Sequence, residues 1–396
     1  MARSTLTLAA AASAALGDAV ITKTRRLTAQ GAGRFDAALV TASGEDVVVR
    51  IPTDETALAD VEAELVALRA LTAGARELLG FAAPEIRGSA PLEDSRVVAT
   101  TFLPGYLVEA THIPAGRGVA TAIGSATARL HTLPPSIVRS AGLPERSAAD
   151  ARADLEKLLD AIGRSGRVPV RLMVRWREAA EDDRLWGYES TVVLGGAQST
   201  SFVMRDDAEG APVVTGVLDW QGLAIGDPAI DLHWTAGAPD AADDVFRSYA
   251  DGAVRAPDRA LRVRTRLHAE LEFARWLLHG IETHRPDVVD DAAELLESLS
   301  DGLVNDALLA DLPARERADV SEAVALLDRV PRTEREASDT SMHTDAFDPD
   351  ELRLHAEEDW DAAPPRSAPD DADATQPSIE REPDATQPVD LTDDER

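Results

Sequence analysis

Val214-Thr-Gly-Val-Leu-Asp-Trp-Gln-Gly-Leu-Ala-Ile-Gly-Asp-Pro-Ala-Ile-Asp-Leu232 is the stretch on which the reading of this chain turns. Its β-branched opening delivers Asp219 to the C-terminal end of a strand. A turn follows, and Gly226-Asp227-Pro228 opens the next helix. A carboxylate presented at a strand end is well placed to hold a divalent metal beside phosphates. The same spacing also fits two aspartates that merely cap loops, and on spacing alone both readings stand.

Upstream, residues 20–102 read as strands around one helix. Residues 37–41 and 46–51 flank Ala42-Ser-Gly-Glu45, a hairpin signal, with Val47, Val49 and Ile51 on one strand face and Val48 and Arg50 on the other. Leu58, Val61, Leu65 and Leu68 recur at helical spacing, with Thr53 or Asp54 as cap, Gly74 past the end and Glu64 bordering the apolar stripe. Residues 97–102 form another β-rich run, closed by Leu103-Pro-Gly105. The remainder reads as mostly helical. Val119, Ala122, Ile123, Ala126 and Leu130 share one face of a helix that stops at Pro134-Pro135. Short β-type runs at 191–194, 201–204 and 213–218 interrupt the helices, which resume and end near Val330.

Composition bounds the partners. The 396 residues carry 71 acidic and 40 basic side chains, a net charge of −31, which repels nucleic acid and anionic membranes. The charge is uneven: residues 331–396 hold 21 acidic against 6 basic side chains. Poor in aromatics and rich in Pro, Asp and Glu, that segment reads as a disordered acidic tail. It contains Asp-Ala-Thr-Gln-Pro twice, so Thr375 and Thr386 sit in identical acidic contexts. They read either as phosphorylation sites for a phosphothreonine-reading partner or as low-complexity drift. Cysteine is absent, excluding disulfides and thiolate chemistry, and lysine occurs only at Lys23 and Lys157. The Ala-rich start imitates a signal peptide but also fits a short helix packed on the domain. No run approaches the ~18 apolar residues of a membrane span, and the expected location is cytoplasmic.

The opening stretch resembles the aminoglycoside phosphotransferase family, including its macrolide kinase branch, which shares the protein kinase fold. The family's hallmark is Ile/Leu-Asp-Trp, then Gly-Asp-Pro and Asp-Leu, and Leu218-Asp-Trp220, Gly226-Asp-Pro228 and Asp231-Leu232 match it in order. Ala122-Ile-Gly-Ser-Ala-Thr-Ala-Arg-Leu-His131 is similar to the family's helix ending in Leu-His, and Glu270-Leu-Glu-Phe-Ala-Arg-Trp-Leu-Leu278 to its C-terminal helix. The resemblance covers roughly residues 20–330. It implies an α+β, protein-kinase-like two-lobed fold: an Ala-rich helix at 1–19, a small β-rich N-lobe at 20–103, a larger helical C-lobe at 104–330, and the tail at 331–396. It further implies ATP or GTP with Mg²⁺ as cofactors and a small-molecule ligand. Asp219 takes the place of the metal-binding aspartate, Arg50 that of the phosphate-gripping lysine, and Glu64 that of its helix partner. Gly31 and Gly33 fall in the expected glycine-containing strand turn, and adenine would meet the backbone at residues 100–103. Without the family, Arg50 also reads as an exposed strand arginine and Glu64 as a solvated helix edge.

The match fails at the catalytic loop. The family's His-Gly-Asp-Leu, three residues and Asn fall on Leu194-Gly-Gly-Ala-Gln-Ser-Thr-Ser201, which puts Gly196 at the catalytic aspartate and Ser201 at the metal-binding asparagine. No carboxylate occurs between Glu189 and Asp206, so a slip of register restores none. Gly195-Gly196 reads either as an anion cradle or as a loop left small because nothing functional remains. The leading expectation is a pseudokinase with no catalytic residue. The alternative is an active O-phosphotransferase using Asp219, Asp227 or Asp231 as a substitute base. A third reading is a binding scaffold in which only the tail acts.

Overall fold

Ser4 turns the Ala-rich start into a helix: its hydroxyl accepts from the Thr7 N–H and caps α1 (Thr5–Leu16). This computed structural model describes residues 3–27, 34–92, 95–304 and 307–312. All of these lie in the first of two units, Met1–Arg317 and Ala318–Arg396. Gly31, Gly33, Thr375, Thr386 and the acidic tail lie outside the described residues.

After α1 come β1 (Ile21–Arg26), β2 (Phe35–Ala42), β3 (Glu45–Pro52), α2 (Glu55–Ala70), α3 (Ala73–Leu79), β4 (Ile86–Leu92) and β5 (Ser95–Thr101). The strands form one antiparallel sheet in the order β1-β2-β3-β5-β4. Ser43 (φ 50°) and Gly44 (φ 89°) close the β2–β3 hairpin, the left-handed pair that a twisted two-residue turn favours. Side-chain alternation then fixes what each face meets. Ala38, Val40, Val47, Val49 and Ile51 pack under Leu8, Ala11 and Ala12 of α1. Small side chains let α1 lie close, and at Gly88 of β4 a Cβ would come 1.9 Å from the Ala15 carbonyl oxygen. On the opposite face Val61 and Leu65 of α2 pack on Val98. Arg50, out of phase with Val49 and Ile51, therefore points toward α2. Asp54 caps α2 as its sequence implies, and Gly74 lies past the end of α2, inside a further helix, α3, that Thr72 caps.

The helical part holds α4 (Val119–His131), α5 (Ser136–Ser140), α6 (Ala148–Gly163) and α7 (Val170–Glu181). Four short strands follow, β6 (Thr191–Val193), β7 (Phe202–Asp206), β8 (Pro212–Val217) and β9 (Ala224–Gly226), then a 3-10 run (Pro228–Gly237), α8 (Pro239–Gly252), α9 (Leu261–Glu282) and α10 (Pro286–Gly302). β7 and β8 form a hairpin and β6 pairs with β9. Ile123, Leu130, Phe202, Val217, Trp220 and Leu232 belong to a central core. A second core around Leu159, Trp176, Leu271 and Leu296 encloses the ion pair of Arg175 and Glu270, whose carboxylate also accepts from the Trp176 indole N–H at 2.9 Å.

Backbone bonds tie the sheet to the β7–β8 hairpin. Ala82 N–H donates to Thr215 O and Ala82 O accepts from Val217 N–H, each at 2.9 Å, and Tyr106 and Met204 exchange bonds of 2.9 and 2.8 Å. A cleft is held open between these ties and α2. No helix among the described residues is long and apolar enough to cross a membrane.

Candidate functional site

Strands of the sheet line the cleft with polar side chains, among them Asp36, Arg50, Thr100 and Thr101. Arg50 enters from β3, and a turn of α2 sets Glu64 opposite. The two form an ion pair with side-chain exposures of 20% and 6%, against the readings of a free strand arginine and a solvated helix edge. Phe35 flanks the pair, its ring centre 5.7 Å from the Arg50 guanidinium carbon. Removing one partner of such an enclosed pair strands the other, at a cost of roughly 3–5 kcal/mol when burial is complete and less here, where Arg50 meets solvent.

Asp219 stands beyond the end of β8 with left-handed backbone, φ 62° and ψ 48°. Its carboxylate opens to the cleft and accepts a 2.7 Å bond from the Ser201 hydroxyl, which is itself buried. Protein beside the carboxyl raises its pKa from the ordinary value although the residue itself is open to the cleft, while the Ser201 bond and the Arg50 charge pull back. Arg50, Glu64 and Asp219 line one cavity of about 1170 Å³ together with Val48, residues 100–103, Gln198, Thr200 and Leu218.

The segment Leu194-Gly-Gly-Ala197 is held from behind by Asp231. That fully enclosed carboxylate accepts N–H bonds from Leu194 (2.6 Å), Gly196 (2.8 Å) and Ala197 (3.1 Å). It also accepts from His131 Nε2 at 3.1 Å, so His131 Nδ1 takes the Tyr249 hydroxyl at 2.9 Å. Burial works against this charge, but the imidazole and the N–H groups hold Asp231 below its ordinary pKa. Gly195 has φ +85°, and a Cβ there would meet Gly222 O at 2.2 Å. Gly196 has φ +120°, yet the space where its Cβ would sit is open for 4 Å.

Asp227 is occupied elsewhere. It caps the 3-10 run at Ala229 N–H and accepts from Arg264 Nε (2.8 Å) and His268 Nε2 (3.1 Å). Neither Asp227 nor Asp231 lines the cavity; its carboxylates are Asp36, Asp60, Glu64 and Asp219. Asp36 accepts from the Arg3 backbone and side chain, Asp60 pairs with Arg34, and Glu64 pairs with Arg50. Asp219 alone among them has no ion-pair partner among the described residues.

The family resemblance implies a metal held by Asp219 and by the residue at the place of Ser201. Mg²⁺ gives up its waters reluctantly and leans on carboxylates together with ligand phosphates. The Ser201 hydroxyl, which the resemblance sets at the asparagine place, donates to one oxygen of Asp219. Among the described residues no three His, Cys, Asp or Glu side chains gather to hold a metal. The sequence reading missed Asp231 as the anchor of the glycine segment. Its signal, Asp-Leu, is in the matched motif, but three N–H groups converging from 34 to 37 residues away leave no local trace.

Solved structures share this architecture. The macrolide 2'-phosphotransferase MphH from Brachybacterium faecium, an apoenzyme, matches with a TM-score of 0.61 at 24% identity over 74% of this chain and 97% of that one. A type I macrolide 2'-phosphotransferase matches with a TM-score of 0.59 at 22% identity over 75% and 98% of the two chains. APH(2")-IIIa in complex with GDP and kanamycin gives 0.60 at 17% identity over 75% and 100%. These likenesses establish an α+β kinase-like fold, with a β-sheet N-terminal part and a helical C-terminal part. No curated protein matches the chain. A model of the phosphotransferase enzyme family, APH, matches residues 29–268, more than half of the sequence and the whole stretch from the sheet to the Asp219 and Asp231 motifs. By that match, this chain belongs to the APH phosphotransferase family.

Proposed function

We propose that this chain is a nucleotide-binding pseudokinase: a member of the family that takes a nucleotide in the cleft and transfers little or no phosphate. The observation that carries the reading is the glycine segment. It is anchored by Asp231, yet at Gly196, the position the resemblance gives to the catalytic aspartate, it carries no side chain into the open space beside it. A positioned general base contributes roughly 10²–10⁴-fold to such a reaction, about 3–5 kcal/mol of barrier. Asp227 and Asp231 are bound away from the cavity, which weighs against either as a substitute base. Asp219, already bonded to Ser201, would have to serve as both base and metal ligand.

Nucleotide binding is supported by the enclosed Arg50–Glu64 pair and by residues 100–103 along the cavity wall. The GDP of the APH(2")-IIIa complex puts guanine beside adenine nucleotides in the test. The full chain is incubated with γ-labelled ATP or GTP, Mg²⁺ and panels of macrolides and aminoglycosides, and nucleotide binding is followed in parallel by thermal shift. The expected result is a raised melting midpoint with at least one nucleotide and no label on any acceptor above the protein-free control. Labelled antibiotic, formed at a rate that scales with protein, overturns the reading in favour of an active O-phosphotransferase.

A further inference from the structure

The cavity that holds Asp219 also holds guanidinium groups. Arg26, Arg34 and Arg50 all line the cavity. Arg34 gives only Nη2 to Asp60, and Arg50 only Nη2 to Glu64. Nε and Nη1 of each have no partner among the described residues, so each guanidinium still has N–H groups to donate to phosphate oxygens. Arg26, at the exposed end of β1, has no partner among the described residues. Arg34 and Arg50 are charge-balanced by Asp60 and Glu64, so the cavity charges left without an ion-pair partner among the described residues are Arg26 and Asp219, the latter with one oxygen on Ser201.

We infer that the cleft binds the phosphates of its ligand without a divalent cation, Arg26, Arg34 and Arg50 supplying the positive charge that a metal would bring. The inference rests on the nucleotide-binding reading above and narrows it to a mode of binding. A metal-dependent site needs its aspartate charged to hold the cation. In a guanidinium site the same carboxylate only repels the phosphates at close range. The two modes therefore predict opposite signs for one substitution, Asp219→Asn, which keeps shape and hydrogen-bonding capacity.

The dissociation constants of ATP, GDP and inorganic tripolyphosphate are measured on the full chain by calorimetry, in EDTA and again in Mg²⁺. The expected result is binding in EDTA at least as tight as in Mg²⁺, preserved or tightened by Asp219→Asn. Arg50→Gln is expected to weaken it by about tenfold or more, the worth of a charge-assisted bond. Because Arg50→Gln also strands Glu64, Arg26→Gln provides the second variant: it touches nothing in the core and is expected to weaken tripolyphosphate binding in the same direction. Binding that is tighter in Mg²⁺, with the gain lost in Asp219→Asn, overturns the inference and leaves the nucleotide reading standing. No binding of any nucleotide in either buffer overturns both.

Discussion

At Gly196 the backbone decides what a side chain could do there. Its φ of +120° is a conformation that L residues rarely adopt, although the space around a Cβ is empty. Restoring an aspartate by Gly196→Asp therefore meets no clash but forces strain of about 1–3 kcal/mol, or else a rearranged loop. We expect the variant to fold with a lower midpoint and to gain no phosphoryl transfer, as read by chemical denaturation and the labelled-nucleotide assay. Transfer appearing in this single variant would show that only the carboxylate was missing. Gly195→Ala behaves differently, because its Cβ would collide with the Gly222 carbonyl oxygen at 2.2 Å. Backbone on both sides leaves nothing flexible to yield, so its loss of stability should exceed that of Gly196→Ala. Denaturant midpoints of the two alanine variants rank them directly.

The glycine segment keeps its shape because one element, the 3-10 run Pro228–Gly237, holds it through Asp231. Asp231→Ala leaves three backbone N–H groups and His131 without their acceptor in a sealed interior. A loss of about 3–5 kcal/mol is expected, measured by urea unfolding. Asp231→Asn should recover part of it, since an amide oxygen still accepts but one lone-pair edge becomes a donor. Much of this element structure was legible in the sequence. The hairpin at residues 42–45, the capped helix bearing Glu64 and the strand ending at Asp219 all follow from alternation, capping and turn chemistry, which act over a few residues. The Arg50–Glu64 pair follows from the family resemblance combined with strand phase. What escaped was set by contacts distant in sequence. β9 is three residues long and exists because β6 lies beside it, and Ser201 meets Asp219 only once the β7–β8 hairpin has closed. α3 was hidden because its cap, Thr72, comes directly after the previous helix.

For the molecule as a whole, part of the response to acid should trace to a junction between the central core and the helical bundle. Asp227 begins the run that carries Asp231, and its carboxylate meets Arg264 and His268 of α9. Arg264 is itself fully enclosed, shared with Asp258 and set 4.2 Å over the Tyr188 ring. Burial alone would raise the Asp227 pKa, but the bonds and charges of His268 and Arg264 hold it at about 2, below the ordinary 3.8. Between those two values the unfolded chain binds the proton and the folded chain does not, so stability rises with pH across that window. The contribution, about 2 kcal/mol, is complete above the ordinary carboxylate range and is lost as the pH falls through 2. Asp227→Asn removes the titration but leaves Arg264 with Asp258, so at neutral pH it should cost roughly 2–4 kcal/mol rather than the full value of an unpaired buried charge. Urea unfolding of the two proteins from pH 2 to pH 7 should therefore give curves that converge on the acid side and separate by pH 5. Curves that stay parallel across the whole range would place the acid sensitivity elsewhere. Tryptophan emission is a suitable probe, because Trp220 and Trp234 lie buried on either side of this junction in sequence. Their signal should report the glycine segment loosening together with the core, since Asp231, four residues beyond Asp227, is the group that holds it.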